Sequence, residues 1–177
     1  MPKKILQQES KVLHKTAKEL LLSEIKTPKI KKILREMSLS LAEQSDGVAI
    51  AAPQIGYSLR IFVVSGKIFK KDFNKKNPDT NETGEEKDKD LIFINPKISK
   101  LSRDKDWMPE GCLSVRWLYG LTLRSKKATV TAYDENGKKF TRGGSGLLAQ
   151  IFQHETDHLN GILFIDHAKD VREEVPK

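Results

Sequence analysis

The stretch Gln153-His154-Glu155-Thr156-Asp157-His158 contains His-Glu-x-x-His within a run of helical periodicity. A helix advances a little more than one turn in four residues, so His154 and His158 project from the same face, one above the other. Two imidazoles so placed can grip one metal ion, and the Glu155 between them can move protons for a water activated there. The bland alternative is a helix that happens to carry two histidines. Around the hexapeptide, Leu147, Leu148, Ile151, Phe152 and Leu159 form an apolar stripe. The spacing predicts a helix that starts at Ser145 and stops at Gly161.

A catalytic site of this kind needs a third protein ligand. Asp166 and His167 follow the helix but fall in or beside Ile162 to Ile165, which reads as a closing strand. The other candidate is Cys112, in Glu110-Gly111-Cys112-Leu113-Ser114. It is the only cysteine of the 177 residues, which excludes an internal disulfide framework and suits a reducing compartment. A lone cysteine is otherwise most often an apolar filler.

Upstream, Thr27-Pro28 opens a helix, and Ile30, Ile33, Leu34, Met37 and Leu41 carry its apolar stripe to about Gln44. Gly47 to Gly56 (GVAIAAPQIG) is small, apolar and broken by Pro53, and it reads as a short strand with a tight loop. Arg60 to Ser65 and Leu91 to Ile98 are strand-like in composition, and Ala128 to Asp134 with Lys138 to Thr141 flank the hairpin signal Glu135-Asn136-Gly137. Between the first two of these, Lys71 to Asp90 has Phe73 as its single large apolar residue and is expected to be a surface insertion. These elements predict one α+β domain over residues 1–177, with short antiparallel strands around a central late helix that carries the metal pattern.

The net charge of +8 is uneven: from Met1 to Arg35, ten bases face three acids and leave +7. A solvated lysine-rich face is the simple reading, and no aromatic residue interleaves with the lysines as a single-strand binder would want. No apolar run approaches membrane-spanning length, and Met1-Pro2-Lys3-Lys4 lacks the apolar core of a secretory signal. Glu9, Glu19 and Glu24 argue against an acid-poor transit peptide. The expectation is a cytoplasmic protein, or an organellar one whose transit peptide has been removed.

Gly47 to Gly56, Glu110 to Ser114 and Gln153 to Gly161, in that order, resemble the three motifs of the peptide deformylases. The likeness extends to the opening segment (Ile5-Leu6, Val12-Leu13 and Ala17), to Gly146 to Ala149, and to Gly161 to Asp166. It implies that Cys112, His154 and His158 hold one divalent ion, commonly Fe²⁺, with Zn²⁺, Ni²⁺ or Co²⁺ able to occupy the same site. It implies Glu155 as proton carrier, with the Gln54 side-chain amide and the Leu113 backbone N–H as donors to the oxyanion. Glu110 and Asp157 would orient the ligands, and Val48, Ala49, Met108, Leu147 and Ile151 would line the substrate pocket. The implied substrates are N-formylated nascent peptides headed by formyl-methionine. A weak ribosome contact through the basic N-terminal region and a monomeric state belong to the same expectation.

The chain departs from that pattern at the pocket rim. Ala49 stands where the family has the second glycine of Gly-Val-Gly, and its methyl group crowds the approach of a substrate backbone. Arg116-Trp117-Leu118-Tyr119-Gly120 replaces a stretch that usually has proline and then arginine before glycine, so Trp117 is a candidate apolar rim. Gln8-Glu9-Ser10 lacks the usual prolines. A related metal amidase for another acyl group, or a non-catalytic peptide binder, are the competing readings; loss of Glu155 or of a ligand would mark the binder, and neither is lost.

Overall fold

The computed structural model describes residues 1–70 and 89–177. Among the described residues two α-helices, α1 (Pro28–Ala42) and α2 (Gly146–Leu159), lie among eight strands in two antiparallel sheets. The larger sheet has the order β1-β2-β3-β6-β7, formed by Ala49–Ala51, Ile61–Val64, Leu91–Leu101, Lys127–Tyr133 and Lys139–Ser145. The smaller has the order β4-β5-β8, formed by Lys105–Gly111, Leu118–Ser125 and Lys169–Glu173. Among the described residues no helix is long and apolar enough to cross a membrane.

The helices cover opposite faces of the larger sheet. Successive side chains of a strand point to opposite faces. In β2, Ile61 and Val63 join Ile30, Ile33, Met37 and Leu41 of α1, while Phe62 and Val64 join Leu148, Ile151 and Phe152 of α2. All four β2 residues are fully buried, which explains a strand that is apolar throughout rather than alternating. Phe62 and Phe93 stack with centroids 4.6 Å apart, and Phe152 of α2 meets Phe93 edge-on at 5.3 Å. This aromatic seam fixes the rotation of α2, and therefore which of its faces turns away from the sheet.

Local signals operate as expected at several ends. The Thr27 hydroxyl accepts the Ile30 N–H at 3.4 Å at the start of α1. Gly161, just past the Asn160 cap of α2, has φ +74°, and a side chain there would lie 2.7 Å from the His14 carbonyl carbon. The Ala17 N–H donates to the Leu159 carbonyl at 2.8 Å, so the N-terminal segment closes over the end of the catalytic-motif helix.

Two sequence expectations need correction. Ile162 to Ile165 is not a strand: Phe164–Asp166 form a 3₁₀ turn, tied by the Leu163 N–H donating to the Asp166 carboxylate at 2.8 Å. Leu163 and Phe164 are consecutive and both buried, which a half-exposed strand forbids. The closing strand is instead β8, charged and wholly exposed, held to β5 by backbone pairing. The second correction is the smaller sheet itself, since β4 and β5 were not read as strands. Of the expected insertion from Lys71 to Asp90, only Lys89 and Asp90 lie within the described residues.

Candidate metal centre and substrate cavity

The face of α2 turned away from the aromatic seam presents His154 and His158, with their Nε2 atoms 3.2 Å apart. Cys112, directly after β4, brings its Sγ to 3.2 Å from His158 Nε2. One donor atom from each of the three lies within 4.8 Å of the others. Among the described residues this is the single His/Cys/Asp/Glu group so arranged, and neither Asp166 nor His167 joins it. Glu110 contacts His154 Nδ1, which places that ring's proton on Nδ1 and turns the Nε2 lone pair toward the other two donors. Two imidazole nitrogens and one sulfur, with a carboxylate behind one ring, are a donor set suited to a first-row divalent ion.

Behind Cys112, His154 and His158 lies a charge cluster centred on Arg124, a residue the sequence analysis does not single out. Arg124 of β5 donates to both Glu110 oxygens, at 2.7 and 3.1 Å, and to the Asp157 carboxylate at 2.7 Å. The Thr122 hydroxyl also contacts Glu110. The Arg124 side chain is 6% exposed and that of Glu110 4%. Burial works against the Glu110 carboxylate, yet its contacts with His154 and Arg124 prevail and hold its pKa well below the usual range. Burial likewise opposes the Arg124 charge and is outweighed by Glu110 and Asp157. Asp157 therefore corrects its expected role: it pairs with Arg124, and its other ionic neighbour is His167 at 3.4 Å, so it reaches the ligands only through Arg124 and Glu110. The period-two set Gly120, Thr122 and Arg124, all buried, was the available signal for an inward-facing strand face.

Glu155 follows His154 on the helix and is 3% exposed, with Oε2 lacking a hydrogen-bond partner. Burial pushes its pKa up to about 7. Gln54 sits across the cavity: its Oε1 accepts the Ala51 N–H at 2.8 Å, which orients the amide so that Nε2 donates to Ser114 Oγ at 3.1 Å and faces Cys112 Sγ at 3.7 Å. The Leu113 carbonyl accepts from Gln7 Nε2 at 3.0 Å, fixing the peptide plane of the loop after Cys112.

A cavity of about 350 Å³ opens beside these groups, with Cys112, His154, Glu155, Gln54 and Leu113 on its walls. Val48, Ala49, Leu147 and Ile151 line it as expected, whereas Met108 does not. Met108 lies one residue before the lining Pro109 in β4, opposite Thr122. Toward the mouth stand Arg116, Trp117 and Tyr119. The Tyr119 ring lies over Gly111, its cross-strand partner, where a methyl group would come within 2.8 Å of the ring. A side chain at Gly111 would thus have to displace the aromatic ring that faces it.

Residues 2–174 match the family model described as polypeptide deformylase. Peptide deformylase 2 of Clostridium acetobutylicum is 39% identical over 159 residues, covering 89% of each chain. The peptide deformylase of Borreliella burgdorferi is also 39% identical, over 142 residues, covering 80% of this chain and 74% of that protein. Among solved structures, a class I type b peptide deformylase from Acinetobacter baumannii bound to Met-Ala-Ser superposes with a TM-score of 0.81 at 28% identity. That match covers 94% of this chain and 98% of the other.

Proposed function

The chain belongs to the peptide deformylase family, metal-dependent hydrolases that remove the N-formyl group from the formyl-methionine of newly made proteins, and on that premise we propose the role of each residue at its site. Cys112 as thiolate, with His154 and His158 neutral, holds one divalent ion, Fe²⁺ by family likeness, with Zn²⁺, Ni²⁺ and Co²⁺ chemically compatible. Such an ion, when bound, would supply Lewis acidity and make a water nucleophilic near neutral pH. The single observation that carries this reading is the convergence of a β4-end cysteine and two α2 histidines beside the buried, partnerless oxygen of Glu155.

Glu155 acts as the proton carrier. Its carboxylate takes a proton from the attacking water as the oxygen bonds to the formyl carbon, and returns it to the methionine nitrogen as the C–N bond breaks. The products are formate and a free amino terminus. A pKa lifted by burial matches a group that must both accept and release a proton near neutrality. The Gln54 Nε2 and the Leu113 N–H stabilise the negative charge that develops on the formyl oxygen.

The substrate enters as an extended strand. β1 and β4 are both terminal strands of their sheets, and both border the cavity. A peptide between them adds backbone pairing to two open edges. Pairing along β4 stops at Pro109, which lacks an N–H and whose carbonyl accepts from Gln150 Nε2 at 2.8 Å. Val48, Leu147 and Ile151 then receive the methionine side chain. The Acinetobacter relative crystallised with Met-Ala-Ser, the product of such a reaction on a formylated tripeptide, supports a peptide of this class as the substrate.

Metal analysis and formate release test the reading together. The purified chain is expected to bind about one metal equivalent and release formate from formyl-Met-Ala-Ser, while Cys112→Ala loses most of both. Full metal retention in Cys112→Ala would place the third ligand elsewhere.

A further inference from the structure

Outside the catalytic cavity, the turn before α1 holds two large apolar side chains in solvent. Leu21 and Leu22, at the start of the 3₁₀ turn Leu22–Glu24, are 68% and 56% exposed. Their exposure is built into the fold. The side chain of the buried Asn95 accepts the Leu20 N–H at 2.9 Å and donates to the Leu20 carbonyl at 2.8 Å. That clamp keeps Leu20 inside and leaves the next two residues outside. The Glu24 carboxylate accepts the Leu21 N–H at 3.1 Å, and the Glu24 N–H donates to the Leu21 carbonyl at 2.9 Å. Ile25 is fully buried in one cluster with Ile30 and Ile33 of α1, which fixes the turn against the helix. An apolar pair already held in place has little conformational entropy left to lose on meeting an apolar phase.

Cations accompany the pair. Lys18 and Lys26 flank it in sequence, and both are exposed. Lys97 of β3, two residues beyond Asn95, is exposed beside Glu19 at 3.9 Å. On α1, Lys31, Lys32 and Arg35 occupy the outward side, opposite the buried stripe that begins at Ile30 and Ile33. The exposed Leu39 continues that side one turn beyond Arg35. Among the described residues no carboxylate pairs with Lys18, Lys26, Lys31 or Arg35. Of the two acids nearest the leucines, Glu24 is engaged in the turn itself.

Protruding leucines among unpaired cations complement a bilayer with anionic headgroups, which takes the leucines at its acyl boundary and the lysines at its phosphates. A nucleic-acid backbone would answer the cations but offer the leucines nothing. The segment from Met1 to Arg35 also has no aromatic residue to stack on a base. We propose that the Leu21–Leu22 turn and the basic outward side of α1 form a contact surface for an anionic lipid bilayer, holding the protein reversibly at a membrane. None of these residues lines the catalytic cavity, so the contact uses a surface separate from the hydrolytic site. Two leucines bury little area, and lysine–phosphate attraction is screened by salt, so the attachment is weak and salt-sensitive.

Co-sedimentation of the full chain with lipid vesicles tests this. Phosphatidylcholine vesicles with about 30% phosphatidylglycerol should take up about tenfold more protein than pure phosphatidylcholine at about 0.1 M salt. Most of that uptake should be lost at about 0.5 M salt. Leu21→Ser combined with Leu22→Ser should lower it about tenfold while thermal unfolding stays unchanged. Leu123→Ser, at a leucine of β5 that is 44% exposed, should leave it within about twofold of wild type. Lys26→Glu combined with Lys31→Glu should abolish the preference for anionic vesicles. Equal uptake by the two kinds of vesicle would overturn the proposal, as would a leucine variant that sediments like wild type. Binding of an RNA duplex, undiminished in the leucine variant and without vesicle uptake, would also overturn it and assign the cations to nucleic acid.

Discussion

Two arginine–carboxylate clusters stand at opposite ends of one cavity, and their surroundings give them different work. At the metal end, Arg124 is 6% exposed and binds Glu110 and Asp157, exposed by 4% and 24%. At the mouth, Arg116 is 20% exposed and its partner Asp46 52%. The geometry is similar, with charge-assisted bonds of 2.6 to 2.7 Å in each. Burial separates them. Inside, water cannot replace a lost partner, so each charge depends on the others; at the mouth, water and salt compete for both groups. The inner cluster is therefore a fixed mount for His154, and the outer one a latch between two walls of the cavity.

The sharpest way to break this comparison is to remove one arginine at each end. Arg124→Ala leaves the buried Glu110 carboxylate without its guanidinium, with only His154 and Thr122 beside it, and should cost about 3–5 kcal/mol of stability in denaturant unfolding, with weakened metal retention. A loss below about 1 kcal/mol would show that the inner cluster is no more than a surface pair. Arg116→Ala should cost about 0–1 kcal/mol, and the cost should shrink further in high salt.

Glu155→Gln separates mount from chemistry. It keeps the shape of the side chain and touches neither cluster, so metal content should stay near one equivalent while turnover falls about a hundredfold or more. Near-normal turnover would remove Glu155 from the proton path.

The outer latch also responds to acid in a defined direction. Arg116 holds the Asp46 pKa below its ordinary 3.8, chiefly through the hydrogen bond between them. A depressed carboxylate contributes stability that is complete above its unfolded value and is lost as pH falls through the lower folded one. The small stabilisation from Asp46, measured as wild type minus Asp46→Asn, should thus be constant from neutral pH to about 5 and decline only below 4. A decline centred between pH 5 and 7 would contradict it.

The smallest effect concerns the wall between the clusters. Ala49 lines the cavity on the edge strand β1, where the peptide backbone is proposed to run. Ala49→Gly should raise kcat/KM severalfold for longer formyl-methionyl peptides and little for formyl-methionine itself, because a misplaced carbonyl costs rate steeply. An unchanged or lower value at every length would refute steric crowding by the methyl group.

The same two ends differ in how legible they were before folding. His154, Glu155 and His158 sit on one helix, and a period of 3.6 residues is enough to put both imidazoles on one face. The α1 stripe, the hairpin at Glu135-Asn136-Gly137 and the apolar β2 were readable for the same reason, since each is a local pattern with a local cause. Arg124 was not legible. It looks like one more cation in a basic chain until β5 is seen to turn Gly120, Thr122 and Arg124 inward, opposite Glu110. The neighbours of Met108 and Asp157 were not legible for a related reason: the register of β4 and the position of Arg124 set them.

What the sequence determined by itself was the local chemistry of one helix: two imidazoles on one face and the carboxylate between them, while Cys112 joined them only through the family resemblance. The helical part depends on residue identity and on spacings of about one turn. What only the tertiary structure decided was the company each group keeps. Arg116 and Asp46 are 70 residues apart in sequence, and Arg124 and Asp157 are 33 apart. Nothing in the short-range pattern encodes which cation meets which carboxylate, because that pairing is set by strand register and by the two-faced packing of one sheet between two helices.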